Sequence, residues 1–185
     1  LNANNIVDFL NYLLFADNTT KDKLLNRAFV DQISIPRYFF VCIFTFVPTK
    51  DIILNKSILQ QKVDFYCDIH NINSMSIIYG NNVILLAGAN NLRDIAEDYT
   101  MLDEYQKMLN IEAKNTVRTA FGNIYDDISK IKNSYQEANF ALVMLSHFAD
   151  RHCSHYNELE FYHLLQQIEN KNELQIYCCN KLQIL

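Results

Sequence analysis

Apolar residues recur along this chain at helical spacing in several segments. Within these segments they stand three or four positions apart, which places them on one face of an α-helix. The pattern predicts helices over residues 5–15, from residue 20, over residues 53–70 and 92–109, from residue 134, and from about residues 158 and 172. Each of these helices is expected to bury its apolar face.

The same spacing predicts which side chains face the interior. The helix over residues 53–70 is expected to pack through Leu54, Ile58, Phe65 and Ile69. The other inward-facing residues are expected to be Ile6, Phe9, Leu10, Leu13, Leu14, Leu24, Leu25, Ala28, Phe29, Leu92, Ile95, Ala96, Tyr99, Leu102, Leu109, Tyr135, Ala138, Ala141, Leu142, Leu145 and Phe148.

Polar residues are predicted to begin two of the helices. Thr20 is expected to cap the second helix, because a hydroxyl accepts a hydrogen bond from an unpaired N–H of the first turn. Ser134 is followed three residues later by Glu137, the spacing of a capping box. A helix is therefore expected to begin at Ser134.

Continuous apolar runs predict strands. The run YFFVCIFTFV, residues 38–47, is rich in β-branched and aromatic residues and is expected to form a central strand covered on both faces. Runs at 75–79 and 83–87 flank the sequence GNN, which is typical of a tight hairpin because Gly and Asn tolerate positive φ. A further strand is expected at 116–121, with a short extended piece at 153–156. Strands and helices in this order indicate an α+β fold.

The charge pattern argues against one class of function. Sixteen basic residues stand against twenty-one acidic ones, for a net charge of -5, and the basic residues are scattered. A domain that binds nucleic acid by itself usually carries a clustered positive surface, so DNA contact by these residues is not expected. The longest apolar run has ten residues, about half of what a membrane-spanning helix requires. No membrane contact is expected.

Five cysteines favour a reducing environment. Their number is odd and none are paired in a CxxC spacing, which is typical of reduced thiols in a cytoplasmic protein. Cys178 and Cys179 are adjacent within a predicted helix, where neighbouring side chains point in different directions. We interpret both as small apolar residues.

One segment concentrates residue types that bind metals. The sequence SHFADRHCSHY supplies His147, His152, Cys153 and His155, and on a strand the last two would project to the same side. A zinc or copper site can be drawn there, but the spacing matches no metal motif. We therefore expect exposed or core histidines and no metal site.

No other sequence pattern points strongly to a catalytic or binding site. Asp126 and Asp127 follow the strand predicted at 116–121, and we interpret them as turn and cap residues. The chain contains no GxGxxG, Walker A, HExxH or GxSxG sequence. No cofactor is expected.

Residues 116–142, TVRTAFGNIYDDISKIKNSYQEANFAL, resemble the end of the GGDEF-like domain of PucR and CdaR type bacterial transcriptional regulators. That family has a strand, a glycine turn and a helix with the pattern SYxEAxxAL. Gly122 matches the turn. The helix pattern is matched by Ser134, Tyr135, Glu137, Ala138, Ala141 and Leu142.

The resemblance extends over nearly the whole chain. LLNRAFVDQISIPRYFFVCIF is similar to the family's approach to its first strand, and the residues after 153 resemble its lead into a C-terminal helix-turn-helix. This implies a GGDEF-like, palm-like antiparallel sheet with packed helices over residues 36–149. Helical segments at 1–35 and 150–185 are expected to flank it. Because the chain opens on Leu rather than Met and ends on apolar sequence, we expect a fragment whose DNA-binding part lies beyond it.

The resemblance also identifies the position of the catalytic hairpin of diguanylate cyclases. Those enzymes carry the sequence GGDEF there, with acidic residues that hold magnesium and glycines that admit the nucleotide. This chain reads Tyr79, Gly80, Asn81, Asn82 and Val83 instead. An amide oxygen does not offset the charge of a divalent ion and a triphosphate. The chain is therefore not expected to be an enzyme.

The resemblance implies a non-catalytic regulatory domain. It is expected to form homodimers in the cytoplasm and to contact DNA only through the helix-turn-helix outside this chain. One alternative is a sensor that holds a small metabolite between the sheet and the N-terminal helices. A second is a degenerate enzyme related to diguanylate cyclases.

Overall fold

A computed structural model describes residues 3–16, 20–47, 55–112, 117–148 and 151–159. These residues form a mixed α+β fold with a five-stranded sheet and five α-helices. The helices are α1 (Ala3–Phe15), α2 (Lys21–Val30), α3 (Lys56–Ile69), α4 (Leu92–Glu112) and α5 (Ile131–Leu145). The strands are β1 (Tyr38–Phe46), β2 (Ser74–Tyr79), β3 (Asn82–Ala89), β4 (Val117–Phe121) and β5 (Cys153–His155). The helix predicted from residue 172, with Cys178 and Cys179, lies outside the described residues. Of the helix predicted from about residue 158 only the start is described, and there a 3₁₀ turn covers Tyr156–Glu158.

The sheet confirms the α+β prediction. Its strand order is β2-β3-β1-β4-β5, with β1 antiparallel to both of its neighbours and β2 joined to β3 as a hairpin. The exception to the expected antiparallel pattern is β5, which pairs parallel to β4. This strand lies beyond residue 149, the predicted end of the α+β domain.

Burial on both faces explains the continuous apolarity of β1. Its side chains alternate between two hydrophobic clusters, because successive residues of a strand point to opposite faces. Phe39, Val41 and Ile43 join one cluster with α1, α2 and α5. Phe40, Cys42 and Phe44 join the other with α3 and α4. The sheet is thus covered by helices on both faces.

The predicted inward face of α3 is wrong. The buried residues are Leu59, Val63 and Cys67, whereas Ile58, Phe65 and Ile69 are 52%, 66% and 57% exposed. Leu54 lies outside the described residues. Both sets have helical spacing, so periodicity alone does not distinguish them. Packing against β2 and β3 decides which set is buried.

Several other residues that were predicted to face inward lie on the surface. In α2, Leu24 and Ala28 are buried, whereas Leu25 is exposed and Phe29 is 84% exposed. The exposed positions elsewhere are Leu92 and Ala96 of α4 and Phe148, which follows the end of α5. Thr20 precedes α2 as predicted but makes no side-chain capping hydrogen bond.

None of the described helices combines the length and the apolar character that crossing a membrane requires.

Candidate functional site

The predicted hairpin is confirmed, and its tip is held by neighbouring elements. Tyr79 pairs with Asn82, which leaves Gly80 and Asn81 as a two-residue loop, and Gly80 has a φ of +58°. The Nζ of Lys56 donates a hydrogen bond to the carbonyl oxygen of Gly80. The hydroxyl of Thr45 donates to the carbonyl oxygen of Asn81 at 3.4 Å. The tip is therefore tied to the start of α3 and the end of β1.

The charge at this tip differs from that of a magnesium site. In the described part of the chain, the side chains that donate to the loop are the ammonium of Lys56 and the hydroxyl of Thr45, and the loop's own amide, from Asn81, donates to the carbonyl oxygen of Phe46. Magnesium with a triphosphate requires carboxylate ligands. The Lys56 ammonium instead brings a positive charge, which opposes the binding of a divalent cation.

The hairpin also contacts the N-terminal helix. The ring of Phe15, at the end of α1, stacks on Tyr79 with their centroids 4.4 Å apart. The same ring meets Tyr135 of α5 edge-on at 5.4 Å. Burial raises the pKa of the Tyr135 phenol, and nearby Tyr79 raises it further. Two residues singled out in the sequence, Tyr79 and Tyr135, thus meet through Phe15. Phe15 was not among the residues predicted to face inward, and no sequence pattern indicated this contact.

The Ser134 side chain joins α5 to the sheet. Its Oγ accepts a hydrogen bond from the N–H of Val41 at 2.9 Å and donates one to the carbonyl oxygen of Asn123 at 2.8 Å. The N–H of Gly122 donates to the carbonyl oxygen of Val41. Ser134 therefore satisfies a buried N–H of β1 at the point where β4 leaves the ladder.

The predicted capping box is wrong. The helix begins at Ile131, so Ser134 lies inside α5. Glu137 accepts hydrogen bonds from the N–H of Asn123 at 2.9 Å and from the hydroxyl of Tyr125. Residues three apart share a face of a helix. The spacing that suggests a cap therefore also suits two side chains that bind the loop after β4.

The small residues of the same motif allow α5 to approach the sheet. Ala138 and Ala141 are fully buried, and Leu142 packs against the cluster on the α1 side of the sheet. A Cβ on Gly122 would lie 2.1 Å from the carbonyl oxygen of Ser134. The matched motif residues thus build a contact between helix and sheet, and their hydrogen bonds are internal to the protein.

The space between the sheet and the N-terminal helices is filled. Phe9, Leu10, Leu13 and Leu14 of α1 are almost completely buried against the sheet. A void lined partly by Phe9 and Leu13 measures only about 10 Å³, which is barely enough for one water molecule. Among the described residues, this void is therefore too small for the metabolite that the alternative interpretation placed between the sheet and the N-terminal helices.

The histidine and cysteine segment is brought together only in part. Cys153 and His155 project from β5 toward Asp103 of α4. His147 is exposed just after α5, and His152 is half-buried; neither belongs to the group. Asp103 is 50 residues from Cys153 in sequence, so no local pattern could have found it.

Hydrogen bonds define the geometry of the group formed by Asp103, Cys153 and His155. His155 Nε2 lies 3.0 Å from Asp103 Oδ1, and Cys153 Sγ lies 3.4 Å from the same oxygen. Cys153 Sγ is 3.6 Å from His155 Nε2. The other imidazole nitrogen, Nδ1, is 2.9 Å from the hydroxyl of Tyr99. Lys107 donates to the second carboxylate oxygen, Asp103 Oδ2, at 3.1 Å.

Burial and charge act differently on the members of this group. Burial raises the pKa of the Cys153 thiol, and the Asp103 carboxylate raises it further. Burial also acts to raise the pKa of Asp103, but hydrogen bonds from Lys107, Cys153 and His155 outweigh it and lower the pKa. The group therefore combines a carboxylate with a protonated thiol.

The two aspartates after β4 behave as predicted for turn and cap residues. Asp127 accepts a hydrogen bond from the N–H of Ser129 at 3.1 Å and caps a single 3₁₀ turn over Ile128–Lys130. Asp126 is exposed.

The chain also matches a known protein family. A family model described as a GGDEF-like domain matches residues 17–144. The matched range contains the hairpin and the residues around Ser134, and it ends before Cys153. No curated protein matches the chain.

Proposed function

This chain belongs to the GGDEF-like domain family, and on that premise we propose that it is a regulatory domain without catalytic activity. We assign it to a cytoplasmic transcriptional regulator of the PucR/CdaR type, as a part that self-associates. DNA contact in that regulator belongs to a helix-turn-helix outside these residues.

The charge at the hairpin tip carries this proposal. Catalysis on a nucleoside triphosphate needs carboxylates that hold a divalent cation next to the phosphates. At the hairpin of this chain Gly80 and Asn81 form the loop, and the ammonium of Lys56 bonds to it. The chain thus keeps the family fold. The described residues at the hairpin tip, however, lack the negative charge that diguanylate cyclases use to hold magnesium.

Incubation of the purified chain with GTP and magnesium tests the absence of catalysis. We expect no cyclic dinucleotide and no pyrophosphate release above a protein-free blank. An active diguanylate cyclase run in parallel shows that the assay detects product. Product formation by this chain that is abolished by EDTA would overturn the proposal.

An exposed stripe on α3 supports self-association. Ile58, Phe65 and Ile69 lie on one side of α3, and each is more than half exposed. Apolar side chains grouped on one helix face are typical of protein interfaces. An apolar helix face of this kind can pack against the same face of a second copy in an interface with twofold symmetry.

A groove on α5 supports a second candidate function, the binding of a small metabolite. It has a volume of about 520 Å³, which is within the range of ligand sites. Its lining includes amide side chains at Asn133, Gln136 and Asn139 and aromatic rings at Phe140 and Tyr156. A thermal-shift screen over sugar acids, purines and nucleotides tests this candidate. A ligand at 100 times its Kd adds about 2.7 kcal/mol of stability, and Gln136→Glu should reduce that gain if the groove is the site.

A further inference from the structure

We propose that Asp103, Cys153 and His155 form a binding site for a transition-metal ion, with Zn²⁺ as the ion that fits best. The site lies where the edge strand β5 meets α4. All three ligand atoms lie within 4.8 Å of one another. Neither the family match nor any local sequence motif points to this site.

The distances within the group match a tetrahedral zinc ion. Zinc takes a thiolate at about 2.3 Å and nitrogen or oxygen at about 2.0–2.2 Å, so tetrahedral geometry separates neighbouring ligand atoms by roughly 3.3–3.6 Å. The observed separations are 3.0 Å for Nε2 to Oδ1, 3.4 Å for Sγ to Oδ1 and 3.6 Å for Sγ to Nε2. An ion at their centre thus requires only small side-chain shifts.

The orientation of His155 argues against a hydrolytic triad. In such a triad the histidine uses one nitrogen for the nucleophile and the other for the carboxylate. Here the thiol of Cys153 and the carboxylate of Asp103 both face Nε2. The three groups therefore converge on one point, which is the arrangement that a metal ion requires.

Two neighbouring residues orient the ligands. The oxygen of Tyr99 lies within hydrogen-bond distance of His155 Nδ1. Binding of the ion requires the imidazole proton to move from Nε2, where it bonds to Asp103, to Nδ1, where the Tyr99 oxygen accepts it. Lys107 binds Oδ2 of Asp103 and leaves Oδ1 facing the other two ligands. Partners of this kind raise metal affinity by fixing the ligand geometry.

The set of ligands selects the ion. A thiolate and an imidazole are poor ligands for Mg²⁺ and Ca²⁺, whereas zinc accepts sulfur, nitrogen and oxygen together. The side chains of His155 and Asp103 are 18% and 25% exposed, so a water molecule can reach the fourth position. Binding releases the thiol proton of Cys153 to solvent. The bound ion ties β5 to α4.

Titration of the full chain with Co²⁺, after EDTA treatment and reduction, tests the proposal. Cobalt is the probe because its bond to a thiolate gives charge-transfer absorption, and tetrahedral coordination gives strong visible bands. We expect one Co²⁺ per chain, displaced by Zn²⁺. Cys153→Ser should abolish the charge-transfer band, and Asp103→Asn and His155→Ala should weaken Zn²⁺ binding by at least 10–100-fold, the typical effect of even an outer ligand partner.

Matched controls separate this site from other thiols and imidazoles. His147→Ala and the double variant Cys178→Ser, Cys179→Ser should keep the full signal. Asp103→Asn preserves shape, and its circular dichroism spectrum shows whether the variant is folded. Zn²⁺ affinity that is unchanged in folded Asp103→Asn and in His155→Ala overturns the proposal, since the ion then binds a cysteine alone. Loss of the signal in either control overturns it as well.

Discussion

Ser134 occupies the space that a side chain on Gly122 would need. A Cβ on Gly122 would lie 2.1 Å from the carbonyl oxygen of Ser134 and 2.7 Å from its Oγ. The absence of a side chain lets α5 reach the end of β4, where the Ser134 hydroxyl bonds to Val41. The contact between this glycine and this serine therefore sets the distance between helix and sheet.

Gly122→Ala should destabilise the fold by about 1–3 kcal/mol, because the new methyl group forces α5 away from the sheet. Urea unfolding followed by circular dichroism measures the change. Gly80→Asn is the matched control: nothing lies within 4 Å of a Cβ at Gly80, and Asn tolerates the positive φ. A smaller loss for Gly122→Ala than for Gly80→Asn would contradict the close-approach explanation.

Ser134→Ala should cost about 1–3 kcal/mol, because the buried N–H of Val41 then loses its acceptor. Ser146→Ala is the control, since Ser146 is exposed and its hydroxyl donates to the carbonyl oxygen of Val143 at the end of α5. That change should leave stability within about 0.5 kcal/mol of the native protein. Equal effects of the two substitutions would show that the Val41 hydrogen bond contributes nothing.

Asp98 should make stability depend on pH. Burial, with the nearby charges of Asp94 and Glu97, raises the pKa of Asp98 to about 6. The folded state therefore favours the protonated carboxyl, and its contribution is complete below the unfolded pKa of about 4 and is lost as the pH rises through about 6. Asp98→Asn should raise the unfolding midpoint at pH 7.5, with a smaller difference at pH 4.

Asp127→Asn gives a control of opposite sign for this pH effect. The hydrogen bonds from the backbone and side chain of Ser129 lower the pKa of Asp127. Its contribution is therefore present near neutral pH and lost as the pH falls through its lowered pKa. This substitution should destabilise at pH 7.5 and lose its effect in acid. If both variants shift the unfolding midpoint in the same direction at pH 7.5, the opposite pKa shifts assigned to Asp98 and Asp127 are wrong.

Phe65→Glu should dissociate the proposed homodimer, because it places a charge at the centre of the α3 stripe. Sedimentation velocity over a range of protein concentrations should show a Kd weaker by at least about 30-fold. Phe29→Glu changes an even more exposed phenylalanine on α2, at the opposite face of the sheet, and should leave association unchanged. A monomeric native chain at all concentrations would exclude this interface.

Local sequence patterns predicted much of the fold and part of the candidate site. The continuous apolar run of β1 indicated a strand covered on both faces, and Gly80 with its asparagines indicated the hairpin. The sequence also shows directly that Asn81 and Asn82 stand on the hairpin where diguanylate cyclases carry carboxylates. These features depend on neighbouring residues, so the sequence contains what is needed to predict them.

The tertiary structure decided which of several equivalent local patterns is used. Ile58 and Leu59 both begin apolar stripes on α3, and only packing against the sheet determines that Leu59 is buried. Ser134 and Glu137 fit a cap and a helix face equally well by spacing, and the loop after β4 selects the second. Asp103 meets Cys153 and His155 only because β5 pairs with β4 beside α4. Helix and strand periods are local properties of the chain, whereas contacts between distant residues depend on how the elements pack together.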